Sequence, residues 1–417
     1  MSSIEDYAPI AGEDVISHLR QLAAPLKGLK VVHVNSTRVG GGVAEILTQL
    51  VPLMEDLGID VHWEVIRGGE DFFQCTKSFH NALQGRPVPL SDAIFKAYEE
   101  TNAANAEELR PKLEDADVVF IHDPQPLQLL QLCPRRKGRW LWRCHIDLSR
   151  PYRPVWRYLR EFVLEYDASI FSLPDFAQPL PHIQYLMQPS IDPLSDKNKD
   201  LSEDQVLATQ KLFGLDPERP LMLQVSRYDR FKDPVGVIRA YRLVKTFAPS
   251  LQLVLAGGEA TDDPEGQAVL AEVRAEGSED KDIHILLLPS DAHEIINALQ
   301  RAANIVVQKS IKEGFGLTVT ESMWKQKPVI GGNAGGIRIQ VADHRTGFLV
   351  STPEGAALRI RYLLSHPQQR LQMGLNAKEF VRQNFLLTRN LREYLSLMLT
   401  IMNKDKERIE LGMLPVA

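Results

Sequence analysis

The chain has 417 residues, 44% of them hydrophobic and 24% charged, the balance of a folded protein too long for one ordinary core and sized for two domains. A formal charge of −6, with no basic run interleaved with aromatic residues, excludes a surface built to coat nucleic acid. Cys75, Cys133 and Cys144 are odd in number and lack C-x-x-C spacing, which argues against a disulfide framework and a structural zinc.

The first residues, Met1-Ser-Ser-Ile-Glu-Asp, lack the basic and apolar regions of an export signal. No apolar run approaches the ~20 residues of a membrane span. The expectation is a cytoplasmic protein with neither a membrane nor a nucleic acid as partner.

After a polar, helical lead-in, residues 30–34 read as a first buried strand, 35–42 as a loop and 43 onward as a helix that Gly58 stops. Strands follow at 61–66, 117–121, 139–144 and 168–171, with a helix through 156–162. Residues 188–202 turn to Pro, Asp, Ser, Asn and Lys and read as a linker. The alternation then restarts with strands at 220–225, 251–255, 283–288, 305–307 and 328–330. A helix with an Asp233 N-cap and Pro234 at its first position follows the first of these. From about residue 353 the chain reads as helical. The predicted class is α/β, with two doubly wound, Rossmann-like domains facing a cleft, since such sheets bind ligands at the carboxyl ends of their strands.

Glu313-Gly-Phe-Gly-Leu-Thr-Val-Thr-Glu321 joins a buried strand to a helix, so free backbone N–H groups there can meet an anion between two carboxylates. As a hydrolase pair the two would stand ~12 Å apart along a helix, more than the roughly 5–9.5 Å such enzymes use. Acceptance of hydrogen bonds from sugar and ribose hydroxyls suits them better. Arg227 and Lys232 lie in the loop after the first strand of the second half, placed to stabilise a departing diphosphate. Gly40-Gly-Gly42 offers close backbone approach in the first half, without G-x-G-x-x-G or P-loop spacing.

His122-Asp123 and His145-x-Asp147 both end strands. They come from different strands without His-x3-His support, so a polar wall that binds hydroxyls is the better reading than a metal site. Cys144 and His145 are strand neighbours pointing to opposite faces and cannot pair as a nucleophile and base.

In combination these stretches resemble retaining nucleotide-sugar glycosyltransferases of the GT-B architecture, and within them the trehalose glycosyltransferring synthases. The resemblance runs from about residue 30 to 340. It rests on His33-Val-Asn-Ser-Thr-Arg-Val-Gly-Gly-Gly-Val-Ala-Glu45, Ile121-His-Asp-Pro-Gln-Pro126, Trp142-Arg-Cys-His-Ile-Asp147, Pro189-Ser-Ile-Asp-Pro-Leu-Ser195, Val225-Ser-Arg-Tyr-Asp-Arg-Phe-Lys-Asp-Pro234 and residues 311–321.

The resemblance implies transfer of glucose from a nucleoside diphosphate glucose (ADP-, UDP- or GDP-glucose) to free glucose. The product would be α,α-trehalose, formed reversibly and with retention. A trehalose phosphorylase, or a sucrose- or glucan-forming transferase, is the alternative. It implies an acceptor domain over residues 1–190, onto which residues from about 386 to 417 cross back, and a donor domain over 191–385. Arg227, Lys232, Glu313 and His145 would be catalytic. Gly41, Gly42, Phe315, Gly316, Leu317 and Glu321 would bind the donor. Asn35, Arg38, Asp123, Gln125 and Asp147 are candidates for the acceptor. No cofactor and no metal is obligatory in this family pattern, which leaves room for Mg²⁺ stimulation and for a homodimer.

Overall fold

The computed structural model describes residues 3–39, 42–258 and 264–403. The chain divides into two compact units, Met1–Pro189 with Leu387–Ala417, and Ser190–Leu386.

The first unit is built on a six-stranded parallel sheet: β1 (Lys30–Asn35), β2 (Asp60–Val65), β3 (Val118–His122), β4 (Arg139–Arg143), β5 (Ala168–Phe171) and β6 (Ile183–Leu186), in the order β2-β1-β3-β4-β5-β6. β3, β4 and β5 are almost wholly buried, and their apolar runs are what a sheet covered on both faces requires. β6 was not anticipated. It is an exposed edge strand, so its side chains carry no continuous apolar signal. The helices Glu70–Leu83 and Asp92–Asp115, between β2 and β3, also went unassigned in the sequence reading.

The final helix, Leu387–Met402, belongs to this first unit and packs on the helices Glu13–Ala23 and Gly42–Asp56. Arg389 Nη2 ties it down, donating to the carbonyls of Gln188 and Pro189 at 2.9 Å each. The chain thus crosses back to its first sheet, as the resemblance implied.

The second unit holds β7 (Leu221–Val225), β8 (Gln252–Gly258), β9 (Ile283–Leu288), β10 (Ile305–Gln308), β11 (Val329–Gly332) and β12 (Gly347–Val350), all parallel, in the order β12-β11-β10-β7-β8-β9. Its core joins Met222, Leu253, Leu255, Val307 and Ile330 of the sheet to Val237, Tyr241 and Ile360 of the helices. The four-residue strand β12 was also unanticipated.

The boundary between the two units falls inside the segment 188–202, between Pro189 and Ser190, but the segment is packed and not free. Ile191 bridges Leu386, and Asn198 is buried and accepts from Lys325 Nζ through Oδ1 at 2.9 Å. Asn297 Nδ2 donates to the carbonyls of Asp196 and Lys199. Part of the polar composition here serves backbone groups paired with side chains, while Asp196 and Asp200 are exposed. Among the described residues no helix is long and apolar enough to cross a membrane.

Candidate active site

In the second sheet the strand order reverses between β10 and β7, and a doubly wound sheet binds its ligands where the order reverses, beyond the carboxyl ends. The loop after β7 is pinned by Tyr228, whose buried hydroxyl donates to the carbonyls of Leu255 and Leu286 at 2.9 and 3.1 Å. It ends in a 3-10 turn, Arg230–Lys232, where Asp229 Oδ1 accepts from the Phe231 N–H at 2.7 Å. Asp233 then takes a left-handed φ of 51° and caps the helix Pro234–Lys245, accepting from the Gly236 N–H. Buried Lys309, from the loop after β10, pairs with the other oxygen of Asp233.

This folding brings Lys232 to Glu313. Lys232 Nζ lies 2.7 Å from Oε1 and 2.6 Å from Oε2 of the glutamate, and Ser310 Oγ donates to Oε2 at 3.1 Å. Both charged side chains are largely buried. Gly316 follows at φ 88°, and a Cβ there would meet Glu313 Cγ at 3.1 Å. Beneath the turn, Gly335 approaches so closely that a Cβ would lie 1.6 Å from the Glu313 carbonyl oxygen. Gln340 Nε2 donates to the Phe315 carbonyl at 2.5 Å.

The helix Leu317–Trp324 begins at this turn with Gly316 as its N-cap and no side chain capping it. Its first N–H groups have no intrahelical acceptors and point a partial positive charge outward. Phe315 is buried, with its ring centroid 5.7 Å from that of Phe385. Because the helix starts at Leu317, Glu313 stands before it, and the 12 Å helical separation from Glu321 does not apply.

Arg227 is exposed, with Asp229 Oδ2 3.5 Å away. Glu321 is buried one turn into the helix, 3.5 Å from Gln300 Nε2 and 4.0 Å from Lys197 Nζ. Next to it Lys325 is buried and donates to the Glu321 carbonyl; burial pushes its pKa down to about 7, against the attraction of the Glu321 carboxylate. Ser310, Lys309 and Lys325 were missed by the sequence reading. For the first two, position after β10 beside the reversal was the signal available.

In the first sheet the order reverses between β1 and β3. There His33 Nδ1 lies 3.0 Å from His122 Nε2, and His122 Nδ1 lies 3.0 Å from His145 Nε2. Burial lowers the pKa of all three, that of His33 to about 3. The backbone N–H of His145 donates to Asp123 Oδ1 at 2.7 Å. Asp123 has a φ of 62°, and its burial raises its pKa to about 7.

Asn35 is buried, donates to the Thr37 carbonyl and accepts from Trp63 Nε1 at 2.8 Å. Arg38 stacks over the Trp63 ring at 4.5 Å and donates to that residue's carbonyl. Gln125 offers its carbonyl to Asn102, and Asp147 Oδ1 accepts from the Ser149 N–H. Asn35 and Arg38 therefore share Trp63, and Asp123 and His145 share a hydrogen bond; Gln125 and Asp147 join neither pair. Gly42 opens the helix Gly42–Asp56, while Gly40 and Gly41 lie outside the described residues.

His122, Asp123, His145 and Asp147 do not converge as a ligand set, and among the described residues no group of three His, Cys, Asp or Glu side chains is arranged to hold a metal ion. Cys144 is buried, with its Sγ 3.8 Å from the Ile146 carbonyl oxygen.

Comparison with known proteins agrees with this architecture. Residues 33–178 match the family model described as "Trehalose synthase, N-terminal domain", and residues 208–380 match "Glycosyl transferases group 1". A trehalose synthase of Thermococcus litoralis is 47% identical over 399 residues, covering 95% of this chain and 96% of its own length. A trehalose phosphorylase of Pleurotus pulmonarius is 28% identical, covering 86% of this chain and 55% of its own length. Among solved structures, the sucrose-phosphate synthase of Thermosynechococcus elongatus superposes with a TM-score of 0.69 at 17% identity, covering 88% of this chain and 98% of its own. At that identity the likeness speaks for the GT-B fold alone.

Proposed function

The chain belongs to the trehalose synthase family of glycosyltransferases, and from that premise we propose that it transfers glucose from a nucleoside diphosphate glucose to free glucose, making α,α-trehalose reversibly and with retention. The observation that carries this reading is the Lys232–Glu313 pair beside an uncapped helix N-terminus at the reversal of the second sheet.

A departing nucleoside diphosphate gains negative charge as the C1–O bond breaks. Lys232, Arg227 and the N–H groups from Phe315 to Leu317 supply positive potential for it, with Gly41 and Gly42 as further backbone donors. The Lys232 ammonium has three protons; contacts to two Glu313 oxygens leave one for a phosphate oxygen. Glu313, held on two sides by Lys232 and Ser310, keeps acceptor capacity for donor-glucose hydroxyls. Glu321 accepts from the ribose hydroxyls, and His145 hydrogen-bonds the donor sugar. Asn35, Arg38, Asp123, Gln125 and Asp147 are assigned to the acceptor. As the new C1–O bond forms on the face the diphosphate leaves, the acceptor hydroxyl gives its proton to the departing phosphate oxygen. Catalysis is then positioning and leaving-group stabilisation, with no protein nucleophile.

The test is to mix the purified protein with glucose and ADP-, UDP- or GDP-glucose in turn and to measure trehalose and nucleoside diphosphate. Release of both in equal amounts is expected. Diphosphate without trehalose would place the chain among transferases with another acceptor. The similarity to a trehalose phosphorylase motivates a second arm, in which glucose 1-phosphate formed from trehalose and phosphate, with every nucleotide sugar inert, would overturn the synthase reading.

A further inference from the structure

We infer that His122, itself oriented by His33, is a positioning residue that fixes His145 in the tautomer protonated on Nδ1. His145 thereby presents an N–H, and not a lone pair, on its open side.

The argument is a count of protons. A neutral imidazole carries one N–H. Each of the two ring-to-ring contacts, His33 Nδ1 to His122 Nε2 and His122 Nδ1 to His145 Nε2, is 3.0 Å long and needs one proton between its nitrogens. Only two arrangements meet both needs: all three rings protonated on Nδ1, or all three on Nε2. Any mixture sets N–H against N–H or lone pair against lone pair.

The far end of the chain decides between them. His33 Nε2 is buried with no hydrogen-bond partner. The ring lies stacked on Phe120 at 4.7 Å, with Tyr394 of the final helix edge-on at 5.8 Å. Protonation on Nε2 would leave a buried N–H without an acceptor between those rings, whereas protonation on Nδ1 leaves only an unused lone pair. Orphaned buried donors are the rarer of the two in native proteins. A further proton on the chain is opposed by burial and by the neighbouring Arg143 guanidinium. The chain is therefore neutral and directional, running from His33 outward to half-buried His145.

An outward N–H donates to a sugar oxygen and cannot accept a proton, so His145 positions substrate and does not serve as a base. The identity of that oxygen rests on the proposed function; the tautomer is a property of the free protein.

Long-range ¹H–¹⁵N correlation spectra of the ¹⁵N-histidine-labelled, ligand-free protein test it, with the three rings assigned by single substitutions. The expected pattern is a protonated Nδ1 and a bare Nε2 on His33, His122 and His145. A protonated Nε2 on His145, or an imidazolium in the chain, would overturn the inference. In His122→Phe, His145 should become a mixture of tautomers, and kcat should fall about 10- to 100-fold with KM for the nucleotide sugar little changed. A folded His122→Phe protein with His145 still wholly on Nδ1 would remove the positioning role. If that variant does not fold, the wild-type spectrum decides. Wild-type protein that shows the expected tautomers but transfers no glucose would count against the proposed function and leave this inference standing.

Discussion

Lys232 and Glu313, on loops 81 residues apart, meet as a two-pronged ion pair: one ammonium faces both carboxylate oxygens at 2.7 and 2.6 Å. The pair is largely buried, so each partner sets the cost of losing the other. A cation held this way is preorganised for a leaving group, because its direction is set before substrate arrives.

Lys232→Met should lower kcat by about 10²- to 10³-fold, the usual cost of removing one donor from a charge-stabilising site. It should also lower the unfolding temperature, because the Glu313 carboxylate stays buried without its cation. Lys232→Met combined with Glu313→Gln should recover much of that stability and none of the activity. Strictly additive stability losses in the double-mutant cycle would mean that the pair is not coupled.

The two glutamates should separate by assay. Glu313→Gln keeps the shape of a residue assigned to the sugar; nucleotide diphosphate binding, measured by calorimetry, should stay nearly intact while turnover falls. Glu321→Ala removes the residue assigned to the ribose and should weaken nucleotide binding. Equal affinities in both variants, with stability alone changed, would refute the two assignments.

Gly335→Ala puts a methyl group where only 1.6 Å separates it from the Glu313 carbonyl, at a φ of 45°. The turn that carries Glu313 must move, at a cost of ~1–3 kcal/mol or more. Loss of both thermal stability and turnover is expected. Gly69→Ala, which meets nothing within 4 Å and has a φ of −81°, should leave both nearly unchanged. A fully active Gly335→Ala enzyme would show that the turn is not fixed by this contact.

Burial depresses Lys325 to about 7 and Lys327 to about 8 in the folded protein, below the roughly 10.4 of a free lysine. Between those values the unfolded chain binds more protons than the folded one, so unfolding free energy should rise with pH from about 7 to about 10.4. Denaturant midpoints across that range should show a smaller slope for Lys325→Met than for the wild type. An unchanged slope would mean that Lys325 does not titrate in this window.

Asp123 has the opposite sign. Its folded pKa is raised to about 7, above the ~3.9 of a free aspartate, so its contribution to stability is lost as pH rises between those values. Asp123→Asn keeps an acceptor for the His145 N–H and tolerates the left-handed φ, while carrying no charge to bury. The variant should be more stable than wild type at pH 8 and nearly equal at pH 4, as read from unfolding curves.

The two parallel sheets were legible in the sequence because strands buried on both faces leave continuous apolar runs, as at residues 118–121 and 305–307. The turn from Glu313 to Leu317 was legible as well, since closely spaced glycines before a helix mark a close approach of backbone whatever the surroundings. β6 and β12 were not, because a run of four residues is too short to set a strand's period apart. The segment 188–202 was legible as a junction, since the boundary between the two units falls inside it, but its packing was not: Asp192, Ser195 and Asn198 side chains pair with its own backbone, and composition cannot tell that from exposure. Pairing was the larger gap. Nothing local joins Lys232 to Glu313, Lys309 to Asp233, or His33 to His122 and His145, because the partners come from different strands or the loops after them and meet only in the folded sheet. Residue types and backbone freedom are properties of a stretch of chain, whereas the direction of a hydrogen bond and the protonation of a buried group depend on what the fold brings beside it.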